Sequence, residues 1–112
     1  MKKLFVLLTL ALSANVFAAD IEAGKAAVQK YNCASCHGAD LSSPIDASYP
    51  KLAGQHADYI EHALVAYQRG ASGANGRGNA IMGGMAKPLS HAEIKDISAY
   101  IASLPGALVV RK

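Results

Sequence analysis

The stretch YNCASCHGADLS, residues 31–42, holds both cysteines of the 112-residue chain, Cys33 and Cys36, with His37 directly behind the second. Three chemistries use two cysteines at this spacing, and each makes its own demand on the rest of the chain. A zinc site takes four protein ligands, typically with a second pair further along. There is no third cysteine, and His56, His62 and His91 are not spaced like the second half of a zinc module. A redox dithiol of the thioredoxin kind opens a helix that follows a strand, and no strand pattern precedes Cys33. A plain disulfide here would close a loop too short to constrain the unfolded chain appreciably. The third chemistry is covalent haem. C-x-x-C-H is a c-type attachment pattern in which each thiol adds to a porphyrin vinyl group and the adjacent histidine coordinates iron. Within a helical turn the spacing sets both sulfurs along one porphyrin edge and swings the imidazole under the metal. The pattern is short, so on the motif alone the thiol readings stay open.

Outward from the motif, the amino-terminal residues MKKLFVLLTLALSANVFAAD read as an export signal. Lys2 and Lys3 supply the charged start, Leu4 to Leu12 the apolar run, and Val16-Phe17-Ala18 the small-residue cleavage site. The run is shorter than the roughly 20 apolar residues a membrane span needs, so residues 1–18 are expected to be cleaved rather than kept as an anchor. Removing 18 of 112 residues leaves 94, enough for one small domain, residues 19–112. The formal charge falls from +3 to +1 with the loss of Lys2 and Lys3. The remaining basic residues are scattered from Lys25 to Lys112, which gives no footprint for nucleic acid. Export also places the motif where haem attachment takes place in bacteria. The 94 residues contain no Trp and no Phe, only five Tyr. A domain so small and so poor in large aromatic side chains has difficulty building a core from protein alone.

The periodicity predicts helices. IEAGKAAVQKYN, from Ile21 to about Asn32, spaces its alanines, Val28 and Tyr31 helically and delivers the chain to Cys33. A second helix is expected from about Ala57 to Arg69, with Ile60, Leu64 and Tyr67 on one face and Gly70 as a stop. The third has the strongest signals: Ser90 and Glu93 fit a capping box, Ile94, Ile97, Ile101 and Leu104 recur at helical spacing, and Pro105-Gly106 ends it. Between them GADLSSPIDASYPKLAG and the glycine-rich ASGANGRGNAIMGGMAKP read as irregular backbone. No segment alternates like a strand. The expected fold class is all-α, three main helices plus long loops, and loops of this length usually have a functional reason.

Taken together, CASCHGAD after the first helix, YPKLAGQHADYI in the middle and MGGMAKPLSHAEIKDISAYIASL at the end carry a family resemblance in their sequence and order. The chain resembles a small bacterial class I cytochrome c, of the group that includes cytochromes c4, c5 and c553. The likeness runs from about Gly24 to Leu104, and its middle segment is especially close to c4-type domains. A single C-x-x-C-H implies one such domain rather than a full di-haem c4 protein. The resemblance implies one haem c, held by Cys33 and Cys36 through thioethers, with His37 as proximal iron ligand. It also implies Met82 as the second axial ligand, because Met82 to Leu89 fits the family frame from the axial methionine to the last helix. Met85 then falls where a plain apolar side chain usually stands. It further suggests Pro50, with Pro44 as competitor, as the carbonyl that accepts from the His37 ring. Gly24 is expected to cross the last helix closely, beside Tyr100. His56, His62 and His91 are read as surface residues.

Two filled axial positions leave no open place for a substrate. The expected function is therefore electron transfer by a soluble periplasmic carrier, not an enzyme, monomeric by default, with redox proteins as its partners and no membrane insertion after cleavage. Met/His ligation and burial both raise the reduction potential of a haem. The alternatives are a haem enzyme or gas sensor with an open sixth site, and a thiol-redox or metal-binding module. Neither donor nor acceptor is named by the sequence, and a near-neutral charge gives no steering toward one sign of partner.

Overall fold

The computed structural model describes residues 18–106. The export-signal reading lies outside these residues except at its last position, and so does the tail 107–112. Five helices follow in order: α1 Ile21–Lys30, α2 Ala34–His37, α3 Ala57–Arg69, α4 Ala80–Ala86 and α5 His91–Ser103. There is no strand among the described residues, and the fold class is all-α as the periodicity implied.

The first and last helices each start on a side chain that satisfies an otherwise unpaired backbone donor, whereas α3 has no such cap. At the front of α1 the Asp20 carboxylate accepts from the Ala23 N–H at 3.0 Å, with Glu22 in the first turn and Lys30 in the last, the arrangement that suits the helix dipole. At α5 the capping box forms in full: Ser90 Oγ accepts from the Glu93 N–H at 3.1 Å, and the Glu93 carboxylate accepts from the Ser90 N–H at 2.9 Å. That carboxylate also takes the Tyr31 hydroxyl and lies 3.2 Å from Lys30 Nζ, so one residue ties the start of α5 to the end of α1. Its pKa is pushed down to about 2, chiefly by the Ser90 N–H and further by Tyr31 and Lys30.

The core is the seam between the first and last helices. Ala27 and Val28 of α1 pack against Ile94, Ile97 and Ile101 of α5, and Leu41, Ile60 and Leu89 extend the cluster toward α3. Gly24 makes the crossing possible. A Cβ there would lie 2.5 Å from the Asp96 carbonyl carbon and 2.8 Å from Tyr100 Cβ, so only glycine lets the two backbones approach this far. The Asp20 N–H donates to the Asp96 carboxylate at 2.8 Å across the same crossing.

The stretch 80–86 departs from the sequence reading, which made it irregular. Asn79 Oδ1 accepts from the Met82 N–H at 2.9 Å and starts the seven-residue helix α4 in spite of Gly83 and Gly84. A good N-cap outweighs two poor helix formers when the far end is also held, which the glycine count does not show. The loop after His37 is irregular but built. Asp40 accepts from both the Ser42 and Ser43 N–H groups and from the Ser43 hydroxyl, and Asp46 accepts from the Ser48 N–H and hydroxyl. Leu41, fully buried at φ 55°, offers its carbonyl to both the Leu52 and Ala53 N–H groups.

Candidate functional site

The chain around the motif is a single helical turn. Tyr31 ends α1, Asn32 takes a left-handed φ of 56° and turns the backbone, and Cys33 opens α2. The N–H groups of Cys36 and His37 both return to the Cys33 carbonyl, at 3.3 and 3.1 Å. Gly38 stops the turn at φ 90°, where a Cβ would also run into the Ser43 backbone. Cys33, Cys36 and His37 therefore face one cavity of about 480 Å³ whose walls are mostly apolar.

The His37 ring is buried, and its Nδ1 stands 2.8 Å from the Pro50 carbonyl oxygen. A carbonyl only accepts, so Nδ1 donates, and a neutral ring then keeps its lone pair on Nε2. This is the tautomer a metal-ligating histidine needs, fixed by a bond to its other nitrogen. Of the two candidate acceptors named from the sequence, the structure selects Pro50 over Pro44. Both cysteines are free and half-buried. Burial pushes the Cys33 thiol up, and the nearby Cys36 adds to the shift. Reactive redox cysteines are shifted the other way. Among the described residues no three of His, Cys, Asp and Glu come together as metal ligands would.

Helices α3, α4 and α5 supply further walls of the cavity. Ile60, Leu64 and Tyr67 project from α3, and Ile97 and Ile101 from α5. Met82 and Met85 of α4 both reach the cavity, Met82 half-buried and Met85 39% exposed. The structure thus brings Cys33, Cys36, His37 and Met82 to one space, from segments some 45 residues apart in sequence. His56, His62 and His91 are exposed and none of them lines that space.

Two further residues shape the site without having been singled out as members of it. Arg77 lies over the rings of Tyr59 and Tyr67, 5.5 Å from each centroid, and donates to the Tyr59 hydroxyl at 3.2 Å. Its guanidinium pins two aromatic side chains at the rim. Asn79 also lines the cavity, and its side chain accepts from the Met82 N–H at 2.9 Å. An asparagine just ahead of the helix, three residues before Met82, is the one local signal that could have marked this cap.

A flat, largely apolar group with two attachment points fits this donor set. The cavity is lined by a pair of cysteine sulfurs, an oriented imidazole and the thioethers of two methionines. Comparison with known proteins points the same way. The sequence profile of the cytochrome c family matches residues 21–105. Cytochrome c-554(547) of Halothiobacillus neapolitanus is 38% identical over 93 residues, covering 78% of this chain and 99% of that protein. A thiosulfate dehydrogenase electron acceptor of Thiomonas intermedia is 36% identical over 99 residues, 88% of this chain and 43% of the relative. Among solved structures, reduced recombinant cytochrome c4 from Pseudomonas stutzeri superposes with a TM-score of 0.68 at 36% identity, over 81% of this chain and 48% of that one. The chain spans half the length or less of the first curated relatives it matches.

Proposed function

This chain belongs to the cytochrome c family, and from that premise we propose that it is a soluble, monomeric, periplasmic one-electron carrier with His37 and Met82 as axial ligands. The family implies a covalently bound haem c and electron transfer through it. Bound in this cavity, haem c supplies an iron that changes charge by one electron. The chain's own residues do the rest. Cys33 and Cys36 hold the group by thioether bonds, so it stays with the domain when the fold opens. Pro50 orients the His37 ring, and the bond to its carbonyl raises the basicity of the liganding nitrogen. Ile60, Leu64, Ile97 and Ile101 keep water from that side of the cavity and lower its dielectric, which disfavours the more highly charged ferric form.

The observation that carries the proposal is the convergence of two cysteines, an oriented histidine and a methionine on one apolar cavity. With both axial positions taken by protein, substrate chemistry at the metal has no place, and the chain is read as a carrier rather than an enzyme. Periplasmic location is supported by the export signal, and no helix among the described residues is long and apolar enough to cross a membrane. The partners are redox proteins. A relative named as the electron acceptor of a thiosulfate dehydrogenase suggests a dehydrogenase as one class of donor.

Three measurements test this. The intact mass of protein isolated from the periplasm should equal the polypeptide cut after Ala18 plus one haem; a mass without haem ends the proposal. Met82→Ala should abolish the ferric thioether–iron charge-transfer absorption while Met85→Ala keeps it, and the reverse pattern refutes the assignment. The reduced protein should bind carbon monoxide slowly, whereas rapid binding points to an open sixth position.

A further inference from the structure

Gln68 is the next-to-last residue of α3, and its side chain is not part of the cavity wall. Its carboxamide nitrogen donates to the Ala86 carbonyl at 2.9 Å and to the Leu89 carbonyl at 2.8 Å. An amide NH2 has two hydrogens, and here each goes to a different carbonyl. Ala86 closes α4 and is fully buried; Leu89 stands just before the cap of α5 and is also buried. The Leu89 carbonyl has no backbone donor among the described residues, so without Gln68 it would be a buried acceptor with no partner.

The helix that depends on this contact has little to hold it otherwise. At seven residues, two of them glycine, α4 is too short and too flexible to persist by its own propensity. Asn79 fixes its front end. Its rear end is joined to α3 by the Gln68 amide, together with the burial of Ala86 and Leu89.

We infer that Gln68 is a positioning residue for the sixth iron ligand: it clamps residues 80–89 to α3 and so governs how often Met82 leaves the metal. The inference rests on the Met82 reading above and extends it to a residue that touches neither metal nor cofactor. In the ferric holoprotein an added ligand can enter only when Met82 departs, so the limiting rate at saturating imidazole measures that opening. Gln68→Leu keeps the bulk and removes both donors. Gln68→Glu keeps the shape and sets carboxylate oxygens against two carbonyls. Ser98→Ala is the control: Ser98 is buried in α5, bonds the Ile94 carbonyl at 2.7 Å and does not line the cavity.

Both Gln68 variants are expected to raise the limiting imidazole rate roughly tenfold, Glu more than Leu, about the effect of losing one net hydrogen bond. Their thioether charge-transfer absorption should also fade on warming well before the helices melt. Ser98→Ala should lower the melting temperature and leave the rate within about twofold. The inference is overturned if the Gln68 variants melt earlier with an unchanged imidazole rate, or if Ser98→Ala accelerates entry as much as they do. A charge-transfer band that survives Met82→Ala would instead overturn the ligand reading, and the inference with it, without reference to any Gln68 variant.

Discussion

Replacing Gly24 by alanine sets two known effects against each other, and the structure decides the sign. Alanine in place of glycine within a helix stabilises by up to about 1 kcal/mol, through the smaller entropy of the unfolded chain. Against this, the new Cβ would stand 2.5 Å from the Asp96 carbonyl carbon and 2.8 Å from Tyr100 Cβ, where ordinary contact begins at 3.4 Å. The first obstacle is backbone, so no rotamer change relieves it, and α1 and α5 must separate by roughly 1 Å or rotate. A gap of 0.5–1 Å forfeits about a quarter to a half of each dispersion contact across it, and this seam holds Ala27, Val28, Ile94, Ile97 and Ile101. Overpacking of this kind costs about 1–3 kcal/mol, and the upper end applies because the obstacle cannot bend away. The net expectation is a loss of about 2 kcal/mol, near 10 °C in melting temperature for a domain of this size. Guanidinium and thermal unfolding of the ferric holoprotein, followed by far-ultraviolet circular dichroism, measure it. An alanine variant as stable as its parent would refute the claim that close backbone approach is what glycine is there for.

Acid stability should depend on Glu93. Its folded pKa of about 2 lies below the ordinary 4.5, so its contribution is fully present above about pH 4.5 and is lost as the pH falls toward 2. Glu93→Gln, which keeps the cap but not the charge, should flatten the pH dependence of the unfolding midpoint in that window; a parallel profile would count against the reasoning. Leu41→Ala empties a fully buried position and is expected to cost about 3 kcal/mol by denaturant titration; a loss under about 1 kcal/mol would mean the loop collapses to fill the space. Asn79→Ala removes the cap of α4 and should cost about 1 kcal/mol, seen first as thermal fading of the thioether charge-transfer absorption; unaltered fading would show that the cap is dispensable.

What could be read from the sequence was whatever is written in near neighbours. The box of Ser90 and Glu93 and the isoleucine spacing of α5 are local patterns, and the structure reproduces both. The bounds of α3 follow from an apolar stripe and a glycine stop. The Pro50 carbonyl and the Gly24 crossing were legible only through family resemblance, because nothing near either residue in the chain reports what it touches. The α4 helix was missed because Gly83 and Gly84 argue against it locally, while its supports, the Asn79 cap and the distant Gln68 amide, are a spacing and a tertiary contact. The left-handed backbone of Leu41 was missed for a related reason: its conformation is bought by burial and two accepted hydrogen bonds, which no local pattern encodes.

The crossing at Gly24 also has a mechanical meaning. It joins the first helix to the last, so a pull on residues 20 and 104, at the two ends of the described fold, loads this seam before any other. The Asp20–Asp96 bond lies at the loaded edge, so the seam should open by peeling, one contact after another, rather than by shearing all at once. Ile97 and Ile101 belong to both the seam and the cavity wall, so peeling would bare one side of the cavity. Force applied through the ends of the fold would therefore reach the cavity through the residues that the seam and its wall share.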